Sequence, residues 1–71
     1  MDKKFLEFVA EILEVSVTEI NMDTQYKVYE KWDSLKMLTL VMELEAEYDV
    51  SIAMENVGNV RTLRDLYEMV V

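Results

Sequence analysis

Near the start of the chain, apolar positions recur with helical spacing. At about 100° per residue, Phe5, Leu6, Phe8, Val9, Ile12 and Leu13 share one broad arc of Lys3–Glu14, while Lys4, Glu7, Glu11 and Glu14 fall opposite. The pattern predicts an amphipathic helix over 3–14, with Asp2 placed to cap it. A second helix is predicted over Leu63–Val70, where Leu63, Leu66, Tyr67 and Val70 line one side. Thr62 followed by Asp65 forms a capping-box pattern before it, with Asp in place of the usual Glu. A shorter element, one helical turn at Met54–Val57, is expected between Ile52 and Arg61. Gly58-Asn59 would end that turn, because both residues tolerate a left-handed backbone.

The central helix, Leu35–Tyr48, carries two apolar stripes. Met37, Leu40, Val41, Leu44 and Tyr48 form a normal core-facing set, whereas Leu35, Leu38 and Met42, joined by Ala46, lie nearly opposite. Such a helix is either sandwiched within the core or turns one side toward a partner. In so short a chain the second arrangement is favoured.

Between the first and central helices runs Val15–Asp33, a long connection for a chain of 71 residues. Val15, Ile20, Met22, Tyr26, Val28, Tyr29 and Trp32 are spaced along it and could pin it to the helices. Thr18-Glu19 and Asp23-Thr24 read as short turns. A strand over Gln25–Lys31 is disfavoured for want of a second strand to pair with it. The expected architecture is therefore all-α.

Composition narrows the function. Residues 1–71 suffice for one small domain, and 52% hydrophobic residues can build one modest core. With Lys+Arg 7 against Asp+Glu 15, the formal net charge is −8. An acidic surface repels phosphate backbones and anionic lipid, so nucleic-acid binding and membrane insertion are poor expectations. Basic protein partners suit it better. No apolar run is long enough for a secretory signal or a bilayer span, so a cytoplasmic setting is expected.

Catalysis is excluded largely by inventory. His and Cys are both 0, which removes the Ser-His-Asp triad, the Cys-His nucleophile and the usual zinc cages. Gly is 1, too few for a phosphate-cradling loop, and the residues around Asp23 do not fit a calcium loop. No metal site and no enzymatic activity are expected. The many acids read as a solvated face.

What remains is Trp32-Asp33-Ser34-Leu35, at the junction of the long loop and the two-striped helix, followed by Leu40-Val41-Met42-Glu43-Leu44-Glu45-Ala46-Glu47-Tyr48. Ile52, Val60, Thr62 and Leu63 come further on. These residues resemble the acyl carrier protein family of phosphopantetheine-binding domains over essentially the whole chain. The family's hallmark is an Asp-Ser-Leu triplet opening its second helix.

The resemblance implies a small antiparallel four-helix bundle with a long first loop and a short third helix. It implies that Ser34 receives 4′-phosphopantetheine from coenzyme A through a separate phosphopantetheinyl transferase, with Asp33 and Leu35 flanking the site. The arm's thiol would carry acyl groups to acyl-loading and acyl-processing enzymes with basic docking patches. Leu35, Leu38, Met42 and Glu45 would meet those partners, and the domain would be a monomer.

The residues agree with such a division of labour. A serine is a poor nucleophile without a base, and this chain offers no histidine. By itself Ser34 reads as an ordinary helix cap, as does Asp33; only the surrounding pattern changes that reading. Ser16 and Ser51 lack the flanking Asp and Leu and read as loop hydroxyls. Trp32 reads as a hydrophobic peg beneath the loop rather than a docking residue.

Glu30-Lys31-Trp32 replaces the Leu-Gly and small or aromatic residue that precede the triplet in many members of the family, and Lys36 and Thr39 stand where fatty-acid carriers often have acids. Fatty acid synthesis and a specialised pathway therefore both stay open. So does a peptidyl or aminoacyl carrier, which uses the same fold and serine. A different class also stands: an unmodified helical interaction module in which Asp33-Ser34 only caps a helix.

Overall fold

The computed structural model describes residues 2–71. Helix α1 spans Asp2–Leu13, α2 Ser34–Tyr48, α3 Met54–Val57 and α4 Leu63–Val70, with a 3-10 turn at Val17–Glu19. These helices form the antiparallel bundle that the sequence leads one to expect, with α1 packed on α2 and α2 on α4. Phe5, Val9, Ala10 and Leu13 of α1 are buried against Met37, Leu40, Val41 and Leu44 of α2. Leu63, Leu66 and Val70 of α4 complete the core, and the Phe5 ring meets Tyr67 edge-on at 5.1 Å.

Helix ends depart from expectation. Asp2 lies in the first turn of α1 rather than capping it, and Glu14 lies beyond the helix. Glu14 takes a left-handed backbone, φ 62, so that its N–H reaches the Glu11 carbonyl and the Val15 N–H returns to Ala10 at 3.0 Å. Asp49 ends α2 in the same way, φ 54, with Val50 donating to the Glu45 carbonyl at 3.2 Å. Gly58, expected to be left-handed, is right-handed with φ −63, and Asn59 has no positive φ either. There the short α3 closes through N–H bonds from Gly58 and Asn59 to Met54 and Asn56, which need no inverted residue.

The long connection is held by its side chains and by its backbone. Ile20, Met22 and Trp32 are buried, and Val15, Tyr26 and Tyr29 pack half-buried against the core; Val28, expected to be a peg, is 73% exposed. Ser16 and Glu19 close a capping box around the 3-10 turn. Asn21, rather than Asp23, organises the next turn: its side chain accepts from the Asp23 N–H at 2.7 Å.

A single antiparallel bridge joins Gln25 to Thr62, so the stretch read as a weak strand candidate does find an extended neighbour, without either becoming a strand. Tyr26 donates to the Arg61 carbonyl at 2.8 Å. In return the Leu63 and Arg64 N–H groups, which have no partner within α4, donate to Thr24 and Met22. The loop thus satisfies the α4 N-terminus while α4 fixes the loop. The expected Thr62–Asp65 capping box is present as well.

Candidate functional site

Asp33 and Ser34 stand at the start of α2, and the backbone assigns them different tasks. Asp33 is extended, φ −96 and ψ −175, and its carboxylate accepts from the Lys36 N–H at 2.9 Å. It is therefore the cap, leaving Ser34 as the first helical residue. Ser34 is exposed, and its hydroxyl enters no hydrogen bond among the described residues. An Asp in front of the serine takes the capping role and leaves the hydroxyl available to an incoming reagent. A phosphoryl group placed there would lie at the positive end of a 15-residue helix, equivalent to roughly half an elementary charge.

Beside Ser34 opens a groove of about 310 Å³ lined by Lys27, Tyr29, Glu30, Trp32 and Asp33. Trp32 is fully buried and tilted against Tyr26 with ring centroids 5.1 Å apart, which makes it the peg that the sequence reading favoured. Its indole Nε1 is buried without a hydrogen-bond partner among the described residues. Tyr29 donates its phenol to Glu19 at 3.4 Å. Desolvation first, then the Glu19 charge and hydrogen bond, raises the Tyr29 pKa above that of a free phenol. Lys27 occupies a left-handed backbone, φ 71, with its N–H donating to the Trp32 carbonyl at 3.3 Å. Nothing in the spacing of the sequence announces that conformation.

The two stripes of α2 are separated by burial. Leu40 and Leu44 are 0% exposed, whereas Leu35 is 71%, Leu38 45% and Met42 63% exposed. Leu35 flanks Ser34 directly, and Leu38 and Met42 continue its stripe along the helix. Glu45 is half-buried, and its carboxylate accepts from the Ile52 N–H at 2.7 Å, tying α2 to the segment before α3. That clamp was not legible from the sequence.

Nor was the role of Lys36. Its ammonium donates to the Ile12 carbonyl at 3.2 Å and lies 3.9 Å from Glu14, so it covers the negative end of α1. Thr39 turns its hydroxyl onto the Leu35 carbonyl at 3.2 Å. No group of three or more acids, His or Cys among the described residues is placed to hold a metal.

Residues 3–70 match the family model described as the phosphopantetheine attachment site. The chain belongs to the acyl carrier protein family. The carrier is 36% identical over 73 residues to an acyl carrier protein of Treponema pallidum (strain Nichols), covering 99% of this chain and 94% of that one. It is 33% identical over 70 residues to the polyketide-8 synthase acyl carrier protein 2 of Streptomyces avermitilis, covering 97% and 80%. Its fold superposes on a solved acyl carrier protein of Mycobacterium tuberculosis with a TM-score of 0.84 at 27% identity, covering 99% and 95% of the two chains. Carrier proteins of this family are not enzymes, and the group they bear is 4′-phosphopantetheine. The exposed, unbonded Ser34 hydroxyl at a helix N-terminus, with an open groove beside it, fits such a group. When attached, the arm supplies the thiol that holds an acyl group as a thioester.

Proposed function

We propose that Ser34 is the attachment residue, and that residues 1–71 act as one monomeric carrier unit in the cytoplasm. The unbonded hydroxyl of Ser34 behind the Asp33 cap carries the reading. In the transfer the Ser34 Oγ–phosphorus bond forms and the diphosphate bond of coenzyme A breaks. Adenosine 3′,5′-bisphosphate leaves, and the serine proton passes to a base of the transferase, since the carrier has no imidazole to accept it. Asp33 holds Ser34 at the helix start, and Leu35 stands beside it as the first apolar contact for the transferase.

Partner enzymes are proposed to dock on the exposed stripe of Leu35, Leu38 and Met42. Glu45 edges that face while also clamping Ile52, so its loss would act through the loop as well as through any basic partner patch. Both fatty acid synthesis and a polyketide-type pathway suit this surface. The Lys36 cation at its head, covering α1 rather than presenting a carboxylate, favours a dedicated partner set over the general fatty-acid one.

Incubation with coenzyme A and a broad-specificity phosphopantetheinyl transferase tests the assignment. Intact mass should rise by one phosphopantetheine, and Ser34→Ala should lose the gain while keeping its helical circular dichroism. A mass gain that survives in Ser34→Ala would overturn it.

A further inference from the structure

A carrier that receives a phosphopantetheine arm gains a negative charge at its serine, because the linking phosphodiester is ionised. The surroundings of Ser34 are already acidic. Of the residues lining the groove beside it, Glu30 and Asp33 are acids and Lys27 is the one cation. Lys31 does not line the groove, and Lys36 is turned away, with its ammonium 3.2 Å from the Ile12 carbonyl and 3.9 Å from Glu14. Leu35, Leu38 and Met42 do not line it either. A phosphodiester on Ser34 therefore finds a cation on the loop side and none on the exposed stripe.

Lys27 is available to pair with it. The side chain enters no ion pair among the described residues. Its ammonium lies over the Tyr26 ring at 5.5 Å from the centroid, close to the ~6 Å at which such contacts fade. A charge-assisted bond to a phosphate oxygen is the stronger interaction. A second groove, between the long loop and the α3–α4 connection, is lined by both Lys27 and Arg61 and by no acid, so like charge disfavours a turn in that direction. The backbone fixes where the side chain begins. The Lys27 N–H donates at 3.3 Å to the carbonyl of Trp32, two residues before Ser34, and the Trp32 N–H donates to Tyr29 at 3.0 Å. Lys27 is held there at φ 71, a conformation that costs a non-glycine residue free energy and recurs at functional sites.

Resting on the carrier reading, we propose that Lys27 binds the phosphodiester of the loaded carrier, its ammonium leaving the Tyr26 ring for the phosphate oxygens on Ser34. Its flexible four-carbon stem suits the movement. The pair draws the root of the arm against the first loop and leaves the Leu35–Leu38–Met42 stripe clear for a partner. Lys27 is a positioning residue here and takes no part in the transfer. Among the groups that face it, Asp33 is occupied by the Lys36 N–H, Arg61 repels it, and Glu30 is the competitor for its charge.

The test compares apo and holo forms of the full chain, the holo form made with coenzyme A and the transferase and confirmed by intact mass. Loading should move the carbon-13 signals of the Lys27 Cδ and Cε and leave those of Lys31 in place. The phosphorus-31 resonance of the holo form should shift in Lys27→Gln and return toward the wild-type position in Lys27→Arg, which separates a lost charge from a disturbed loop. In 1 M NaCl, where the screening length falls to about 3 Å, the wild-type and Lys27→Gln resonances should converge. One phosphorus position shared by wild type and Lys27→Gln at low salt, or a shift that Lys27→Arg fails to reverse, would overturn the anchor and leave the carrier standing. Failure of Ser34 to load would sink both.

Discussion

Lys36 sits in the first turn of α2, where the helix dipole disfavours a cation. The magnitudes show why it is tolerated. A cation near a helix N-terminus costs about 0.3–1 kcal/mol, and one at a C-terminus gains a similar amount. Lys36 is at the start of α2 but at the end of α1, so the two dipole effects nearly cancel. Its hydrogen bond to the Ile12 carbonyl at 3.2 Å then tips the balance, adding about 1 kcal/mol for a partly exposed pair. Lys36→Glu would improve the α2 dipole but place a second carboxylate beside Glu14 and strip the Ile12 carbonyl of its donor. The substitution should therefore lower stability by about 1 kcal/mol in urea unfolding. An unchanged or higher midpoint for Lys36→Glu would show that the α1 contact contributes nothing.

At the scale of elements, α2 divides into a structural face and an available one. Leu40→Ala and Leu44→Ala should each cost about 2–5 kcal/mol, the range for a fully buried leucine. Leu38→Ala and Met42→Ala should stay within about 0.5 kcal/mol. If the exposed stripe docks partners, the order reverses in transferase kinetics, where Leu38→Ala and Met42→Ala should be the slow variants. Equal loss of stability in Leu38→Ala and Leu44→Ala would make the stripe part of the core.

That division was visible in the sequence because burial follows helical period, and α1, α4 and the Thr62–Asp65 cap were legible for the same local reason. The Asp-Ser-Leu triplet was legible too, since a motif and its helix are neighbours in the chain. What was not legible is either an inverted backbone at an unsuspected residue or a contact between distant ones. Glu14 and Asp49 are left-handed while the one glycine is not. The bonds from Tyr26 to Arg61, Leu63 to Thr24 and Arg64 to Met22 join segments far apart in sequence. Lys27 and Arg61 meet at one groove only because those bonds bring the two segments together.

Across the whole molecule the dominant electrostatic fact is a net charge of −8 on a body of 28 × 24 × 17 Å. Only two ion pairs join its described side chains, Lys36 with Glu14 and Arg64 with Asp23; both acids are open to water and the cations are at least partly so. Exposed pairs contribute about 0–1 kcal/mol each, too little to offset repulsion among the remaining acids. The screening length is about 30 Å at 0.01 M salt, longer than the molecule, and about 10 Å at 0.1 M, so most of that repulsion is removed within this interval. The unfolded chain is more expanded and repels itself less, which makes the folded state the chief beneficiary of salt. Each 1 kcal/mol regained should raise the melting temperature of a chain this size by about 4–8 °C. Sodium chloride is the salt to use, because sulfate would strengthen apolar burial on its own account. Melting curves should therefore rise between 0.01 and 0.1 M NaCl and flatten beyond, with Arg64→Ala, which loses a paired cation, starting lower and gaining more. A melting temperature indifferent to NaCl over that range would mean that the acids are already far enough apart for water alone to screen them.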